Sequence, residues 1–311
     1  MRVGLLYQHT GPDGDFAPVI EQIAKADHLG FDTVWLEEHP GAPGALGSLA
    51  IVLGALSKRT RAIRLGGFSA LALAHPIRTA EDFAVVDLLA GGRLNFGVTP
   101  YADAEGCRRY RVPAADCADR FREALDLVLA AWVFDEFSYG GRCHQFPAHT
   151  TAGTGLQRKR LGDAGYRPQW ERGPETPDFL TVTPKPLQQP RPPVWLRADQ
   201  PEWITFAAER GHSLVLPAGA PQLLQAAAQA YDSALTRAGR DRSSVELAVI
   251  TDLPFDGSRL AAHTLSALHQ LHGASGLNHL IWRVPYPQLP QPDLIAALAQ
   301  FAAEIHPMLQ A

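Results

Sequence analysis

The chain is poor in cysteine, with three in 311 residues: Cys107, Cys117 and Cys143. An odd number without ligand spacing excludes a disulfide framework and a cysteine-built zinc site as organising features. Long hydrophobic runs are missing too. No apolar stretch approaches the roughly 18 to 20 residues that a spanning helix needs. Met1 to Leu6 runs straight into a strand pattern rather than a signal peptide. The expectation is therefore no membrane partner and a reducing, cytoplasmic setting. Charge of one sign is also lacking: 28 Lys and Arg stand against 32 Asp and Glu, a net charge of -4. That balance offers no general field for nucleic acid or acidic lipid. The Arg158-Lys159-Arg160 run and Arg191 read as loop solvation.

Several catalytic signatures are absent as well. There is no H-x-H or H-E-x-x-H, so no histidine-built metal site is expected, and the metal prediction is none. His269 and His272 share a helix face without a companion carboxylate pattern. No G-x-S-x-G elbow and no phosphate-binding G-x-x-x-x-G-K-[ST] loop occurs. Cys143-His144 sits in a hairpin pattern, a weak context for a nucleophile.

What is present is alternation. Val3 to Tyr7, Thr33 to Leu36, Ala62 to Leu73 (with its loop) and Arg93 to Val98 read as strands. Ala17 to Leu29, Leu46 to Ser57, Pro76 to Leu89 and Ala114 to Phe134 read as the intervening helices, with Gly30 and Gly91-Gly92 as stops. Phe137 to Phe146 looks like a hairpin around Gly140-Gly141. His149 to Pro177 is polar, rich in Gly, Pro and Arg, and without period, which suggests a lid or insertion. Alternation then resumes with strands at 194–196, 214–216, 246–251 and 279–284, and helices at 202–209, 222–237, 259–271 and 292–309. Eight strand-helix units in strict order predict an α/β fold, a (β/α)8 TIM-type barrel. It would be one domain over 1–311, with an insertion or lid at 137–183. An open doubly wound sheet is the alternative, but no G-x-G-x-x-G follows any strand.

The stretch VWLEEHP, Val34 to Pro40, begins as a buried strand and ends in two carboxylates, a histidine and a proline. Burying charge costs several kcal/mol unless it is paired. In barrels of this kind active sites lie at the C-terminal strand ends, which is where Glu37, Glu38 and His39 would emerge. His39 is the first catalytic candidate, with Glu38 as the carboxylate that fixes its tautomer and favours its protonation. The plain alternatives are a polar cap for His39 and, for the glutamates, pairing with arginines from neighbouring strand ends. Small residues near Phe68, Ser69 and Ala70 would let backbone approach a flat ligand closely, or simply pack the barrel. His75, ahead of Pro76, could cap the third helix.

Four blocks in order carry a family resemblance: GFDTVWLEEH (30–39), AHPIRTAEDFAVVDLLAGGRLNFGV (74–98), PKPLQQPRPPVWL (184–196) and PEWITFAAERG (201–211). The chain resembles the bacterial luciferase-like family of flavin-dependent monooxygenases. The resemblance implies a TIM-type barrel with an insertion. It also implies reduced FMN, bound with its ring over the strand ends and reacting with molecular oxygen on a small or medium organic substrate. His39 matches a histidine near the ring, and Gly67 to Ser69 matches a segment that is often bulged or cis beneath it. With no nicotinamide fingerprint, a separate flavin reductase is the implied partner, and a homodimer is expected by analogy.

Two departures fall on the phosphate side. Thr99-Pro100-Tyr101 places proline, which lacks an N–H, where the family commonly has an arginine flanked by glycine. Asp199-Gln200-Pro201-Glu202 places a carboxylate where the family has small residues, and it would repel a phosphate dianion. Arg197 is the candidate compensating cation. The expected cofactor contacts are thus Gly67, Phe68, Ser69, Thr99, Tyr101, Arg197 and Gln200. Two alternatives remain open: a deazaflavin used for hydride transfer, or a barrel that has lost flavin and serves as a ligand-binding or cofactor-independent protein.

Overall fold

The computed structural model describes residues 1–10, 14–39, 46–159, 163, 179–252, 276–304 and 306–310. Eight parallel strands close a barrel: β1 (Arg2–Tyr7), β2 (Thr33–Glu37), β3 (Arg64–Ser69), β4 (Leu94–Val98), and then, after an interruption, four more. The interruption holds β5 (Glu136–Gly140), β6 (Gln145–Phe146) and β7 (Gly155–Lys159), which form a separate antiparallel sheet in the order β6-β5-β7. The barrel resumes with β8 (Val194–Arg197), β9 (Ser213–Leu216), β10 (Leu247–Thr251) and β11 (His279–Arg283), and β11 pairs with β1 to close it.

The barrel's own helices include α1 (Ala17–His28) and α2 (Leu49–Ser57). Three more, α3 (Pro76–Leu89), α4 (Ala104–Arg109) and α5 (Cys117–Val133), lie within 70–92 and 100–192. They are followed by α6 (Pro201–Arg210), α7 (Pro221–Arg237), α8 (Gln291–Glu304) and α9 (His306–Gln310). The chain divides into two compact units, one of 1–69, 93–99 and 193–311 and one of 70–92 and 100–192. All eight barrel strands lie in the first.

Strand parity organises the barrel. Successive side chains alternate faces, so Leu6, Trp35, Phe68, Trp195, Val215, Ala248, Ile250 and Ile281 fill the lumen as one apolar cluster. Trp35 stacks on Phe68 at 4.8 Å and meets Trp195 edge-on at 5.1 Å. Such bulk fits only because two neighbours are glycine. A Cβ on Gly66 would collide with the Trp35 indole, and one on Gly97 would meet the Gly67 carbonyl oxygen at 2.6 Å. Below this layer, at the strand starts, Thr33 Oγ1 takes the Trp35 indole N–H at 3.0 Å and pairs with His279 Nε2 at 2.9 Å. His279 Nδ1 lies 3.4 Å from Glu246, which also takes Arg2 at 2.6 Å. The floor of the lumen is therefore polar, with its charges paired among themselves.

In the second unit, Glu123 is buried on α5 and accepts the backbone N–H groups of Arg142, Cys143 and His144 at 2.7–2.9 Å. That carboxylate ties down the turn between β5 and β6. Burial, reinforced by the Arg120 charge, drives the neighbouring His144 down to a pKa of about 4, so it is neutral at ordinary pH. His75 does cap α3, its Nδ1 accepting the Arg78 N–H at 3.4 Å.

The structure departs from the sequence reading in four places. The second helix starts at Leu49 rather than Leu46, because Ser48 adopts φ 53° and Leu46 is drawn into a parallel bridge with Glu38. Gly155–Lys159, expected as irregular, pairs along β5 from Glu136↔Lys159 to Gly140↔Gly155. Its lone apolar residue, Leu156, gives no period to read. Helix α4 escapes the sequence reading because it is one short polar turn and a half. Asp103 caps it, accepting the Gly106 N–H at 2.5 Å. The cis peptides among the described residues all precede proline, and Gly67 to Ser69 simply continues the parallel ladder with β4. The expected helix at 259–271 and most of 160–177 lie outside the described residues.

Candidate active site

Above the aromatic layer, at the C-terminal strand ends, the lumen turns polar. Parity again selects the residues. Gln8, Glu37, Arg197 and Arg283 continue the inward series of Leu6, Trp35, Trp195 and Ile281, two positions further on. Glu37 is buried, 1% exposed, and is the hub. Its carboxylate accepts Gln8 Nε2 at 2.5 Å, pairs with the Arg197 guanidinium, and faces His39 Nε2 at 3.4 Å. The pairing spans the lumen, since β2 neighbours β1 and β3 while β8 lies between β4 and β9. Burial, followed by the nearby Arg283 charge, pulls Arg197 down to about 10, with Asp199 acting in the opposite direction. The guanidinium therefore stays protonated at neutral pH. Arg283 is held by Asp252 at 3.0 Å.

This geometry places two of the expected residues in a different setting. The carboxylate set beside His39 is Glu37. Residues 37 and 39 share a strand face, whereas Glu38 turns the other way and accepts the Ser69 hydroxyl at 3.2 Å. Arg197, expected at a phosphate, points into the lumen and neutralises Glu37 for the same reason of parity. Gln8 and Arg283 are the residues that sequence reasoning passes over, and Glu37 it reads only as a carboxylate paired with arginine. The inward phase set by Trp35 is the signal that would find Glu37.

The remaining candidates separate. Phe68 is fully buried and stacks in the core, and only its carbonyl reaches the strand end, accepting the Glu38 N–H at 3.2 Å. Gly67 directs its Cβ position outward, toward Leu49 and Leu53 of α2 at 3.1 and 3.2 Å. Its small size thus serves barrel packing. Thr99 is buried and donates its backbone N–H to the Ser69 carbonyl at 3.1 Å. Tyr101 is partly exposed and belongs to the second unit. Gln200 is the exposed N-cap of α6; its carbonyl accepts Trp203 and Ile204 and its side chain makes no capping bond. Beside it an apolar cleft of about 410 Å³ runs between α6 and α7, lined by Ile204, Leu216, Leu223, Leu224 and Ala227, with Asp199 in its wall. Among the described residues no cluster of three or more His, Cys, Asp or Glu could hold a metal ion, and no helix is long and apolar enough to cross a membrane.

Residues 1–271 match the luciferase-like monooxygenase family, and the chain belongs to that family. It is similar to the oxygenase component of the flavin-dependent trigonelline monooxygenase of Acinetobacter baylyi, 28% identical over 202 residues, 62% of this chain and 46% of that protein. The matched stretch is thus about half the length of that relative. Two solved structures share the fold. One is the oxygenating constituent of the 3,6-diketocamphane monooxygenase from Pseudomonas putida, in complex with FMN, with TM-score 0.75, 15% identity and coverage of 99% of this chain and 98% of that one. The other is the coenzyme F420-dependent tetrahydromethanopterin reductase from Methanopyrus kandleri, with TM-score 0.70, 16% identity and 99% coverage of both chains. At such identities these structures establish architecture, and they include both flavin- and deazaflavin-dependent proteins.

Proposed function

We propose that the protein is an oxidoreductase that holds a flavin-type ring over the C-terminal strand ends. In this reading it uses reduced FMN and molecular oxygen on a small organic substrate, the reduced flavin coming from a separate reductase. The observation that carries the reading is the polar layer Gln8–Glu37–Arg197–His39 set directly on the Trp35–Phe68 stack. An amide, a guanidinium and an imidazole offer the hydrogen-bonding groups that suit the polar edge of an isoalloxazine. The aromatic layer beneath keeps water out of the lumen, so those bonds form in a low-dielectric floor.

The phosphate side fits less well. Arg197 is engaged by Glu37, and Asp199 carries charge of the wrong sign. The N-terminus of α6 offers an anion little more than its dipole, since Pro201 has no N–H, Trp203 donates to the Gln200 carbonyl, and Glu202 adds a negative charge in the first turn. Binding therefore rests on the ring. When bound, the cofactor supplies the two-electron chemistry. The chain's own part is to orient the ring, exclude water and move a proton at His39, held by Glu37 and still partly open to solvent at 36% side-chain exposure.

The misfit at the phosphate side favours a second reading, a deazaflavin used for hydride transfer. Oxygen uptake separates the two. Protein mixed anaerobically with reduced FMN and then exposed to oxygen should alter the rate of flavin reoxidation, and His39→Ala should abolish the effect. If FMN reoxidises as it does in buffer, while a deazaflavin is turned over with an alcohol or imine substrate, the first reading fails and the second stands.

A further inference from the structure

We propose that Glu37 is the positioning residue of this site. It would set which nitrogen of His39 carries the proton, with Arg197 serving to keep Glu37 an anion. The role of His39 in turnover rests on the proposed function; the electrostatic claim does not. Glu37 is the point where three strands meet at the lumen's polar end: Gln8 follows β1, His39 follows β2 and Arg197 ends β8. Four features make it a structural hub rather than a surface acid. It is 1% exposed, its two oxygens face different partners, one partner is a cation, and another is the histidine that follows β2.

A buried carboxylate stays ionised only if its charge is met, and Arg197 meets it from across the barrel. The anion then faces His39 Nε2 at 3.4 Å. A carboxylate at that nitrogen favours the Nε2–H tautomer of neutral imidazole, which leaves Nδ1 as the basic nitrogen, and it also favours the imidazolium. His39 is thereby arranged to take a proton at Nδ1 and hold the resulting charge against Glu37. Among the described residues, the other charged groups at this end include Glu38, turned toward Ser69, Asp199 beyond β8, and the Arg283–Asp252 pair. Arg283 and Asp252 offset one another. Gln8 adds a neutral donor that fixes the carboxylate's rotation.

The test is a histidine-resolved NMR titration of the unliganded protein. Two-bond proton–nitrogen correlations assign the tautomer. In the unmodified protein neutral His39 should be Nε2–H. In Glu37→Gln the titration midpoint should fall by about one pH unit, the low end of what an opposite charge a few ångströms away produces, and the tautomer preference should be lost. Arg197→Gln should lower the midpoint as well, because Glu37 then loses the cation that keeps it ionised. Since a single change strands one partner of a buried pair, the Glu37→Gln/Arg197→Gln double variant serves as the folded neutral control and should titrate like Arg197→Gln and above Glu37→Gln, which retains the unopposed guanidinium. An unchanged midpoint and tautomer in a folded Glu37 variant overturns the proposal. A shifted midpoint combined with an unshifted kcat–pH profile leaves Glu37 as the residue that sets His39 and sinks the proposed function instead.

Discussion

The Arg197 guanidinium reaches the Glu37 carboxylate across the lumen of the barrel, linking the end of β8 to the end of β2. That contact answers why a core strand ends in acid. The charge is buried, and it is matched by a cation from the far wall rather than from an adjacent strand. Removing one partner of such a pair leaves the other charged and desolvated, a loss of about 3 to 5 kcal/mol. Arg197→Ala should therefore lower stability in urea by that order. Glu37→Leu/Arg197→Met, which removes both charges at similar volume, should lose far less or nothing. If the single variant unfolds at the same urea concentration as the unmodified protein, the pair does not carry the charge balance described here.

A second ion network, at the opposite end of the strands, gives a pH prediction. Burial pulls the Glu246 carboxyl up, but the His279, Arg2 and Arg64 groups around it outweigh burial and hold it below the ordinary glutamate value. A carboxylate lowered in the folded state contributes stability that is present above its unfolded pKa. That stability is lost as pH falls through the folded value. Thermal stability should thus drop on acidification below the usual glutamate range. Glu246→Gln should be less stable at neutral pH and flatter through that acid window. A parallel acid profile for both proteins contradicts this.

Gly66 tests the packing of the lumen. Its Cβ position is already occupied by the Trp35 indole, which is fully buried and stacked on Phe68. Gly66→Ala should cost about 1 to 3 kcal/mol through overpacking and perturb the near-ultraviolet dichroism of the tryptophans. Gly30→Ala is not an equivalent control, since Gly30 sits at φ 85° and would be strained for a different reason. An unperturbed Gly66→Ala spectrum would mean that the indole has room the structure denies it.

Glu123 plays the corresponding part in the second unit, receiving three backbone N–H groups at 2.7–2.9 Å. Hydrogen bonds to a charged acceptor are worth about 1.5 to 3 kcal/mol each before non-additivity. Glu123→Ala should loosen the Arg142–His144 turn and raise amide exchange there more than in the barrel strands. Exchange rising evenly across the chain would assign Glu123 a global role.

The barrel was legible because alternation of strand and helix leaves few topologies, and burial on both faces makes the strands continuous apolar runs. Helical periodicity says nothing about the lumen's polar end, where the relevant signal is parity. Reading 33, 35, 37 and 39 as one face pairs Glu37, not Glu38, with His39. The partner of Glu37 is not readable in the same way, since Arg197 lies beyond the interrupting segment and meets Glu37 only after the barrel closes. Strand β7 was hidden because it carries a single apolar side chain, Leu156, and is held by its backbone ladder with β5.

What the strand ends recognise, in the reading proposed here, is a flavin-type ring rather than a phosphate. Equilibrium binding of FMN, riboflavin and a deazaflavin, each oxidised and reduced, tests that most directly. At least one ring system should bind, FMN and riboflavin should differ by no more than about tenfold, or ~1.4 kcal/mol, and Gln8→Ala should weaken both equally. Failure of all three to bind in either oxidation state, or FMN bound while riboflavin is not, would contradict it.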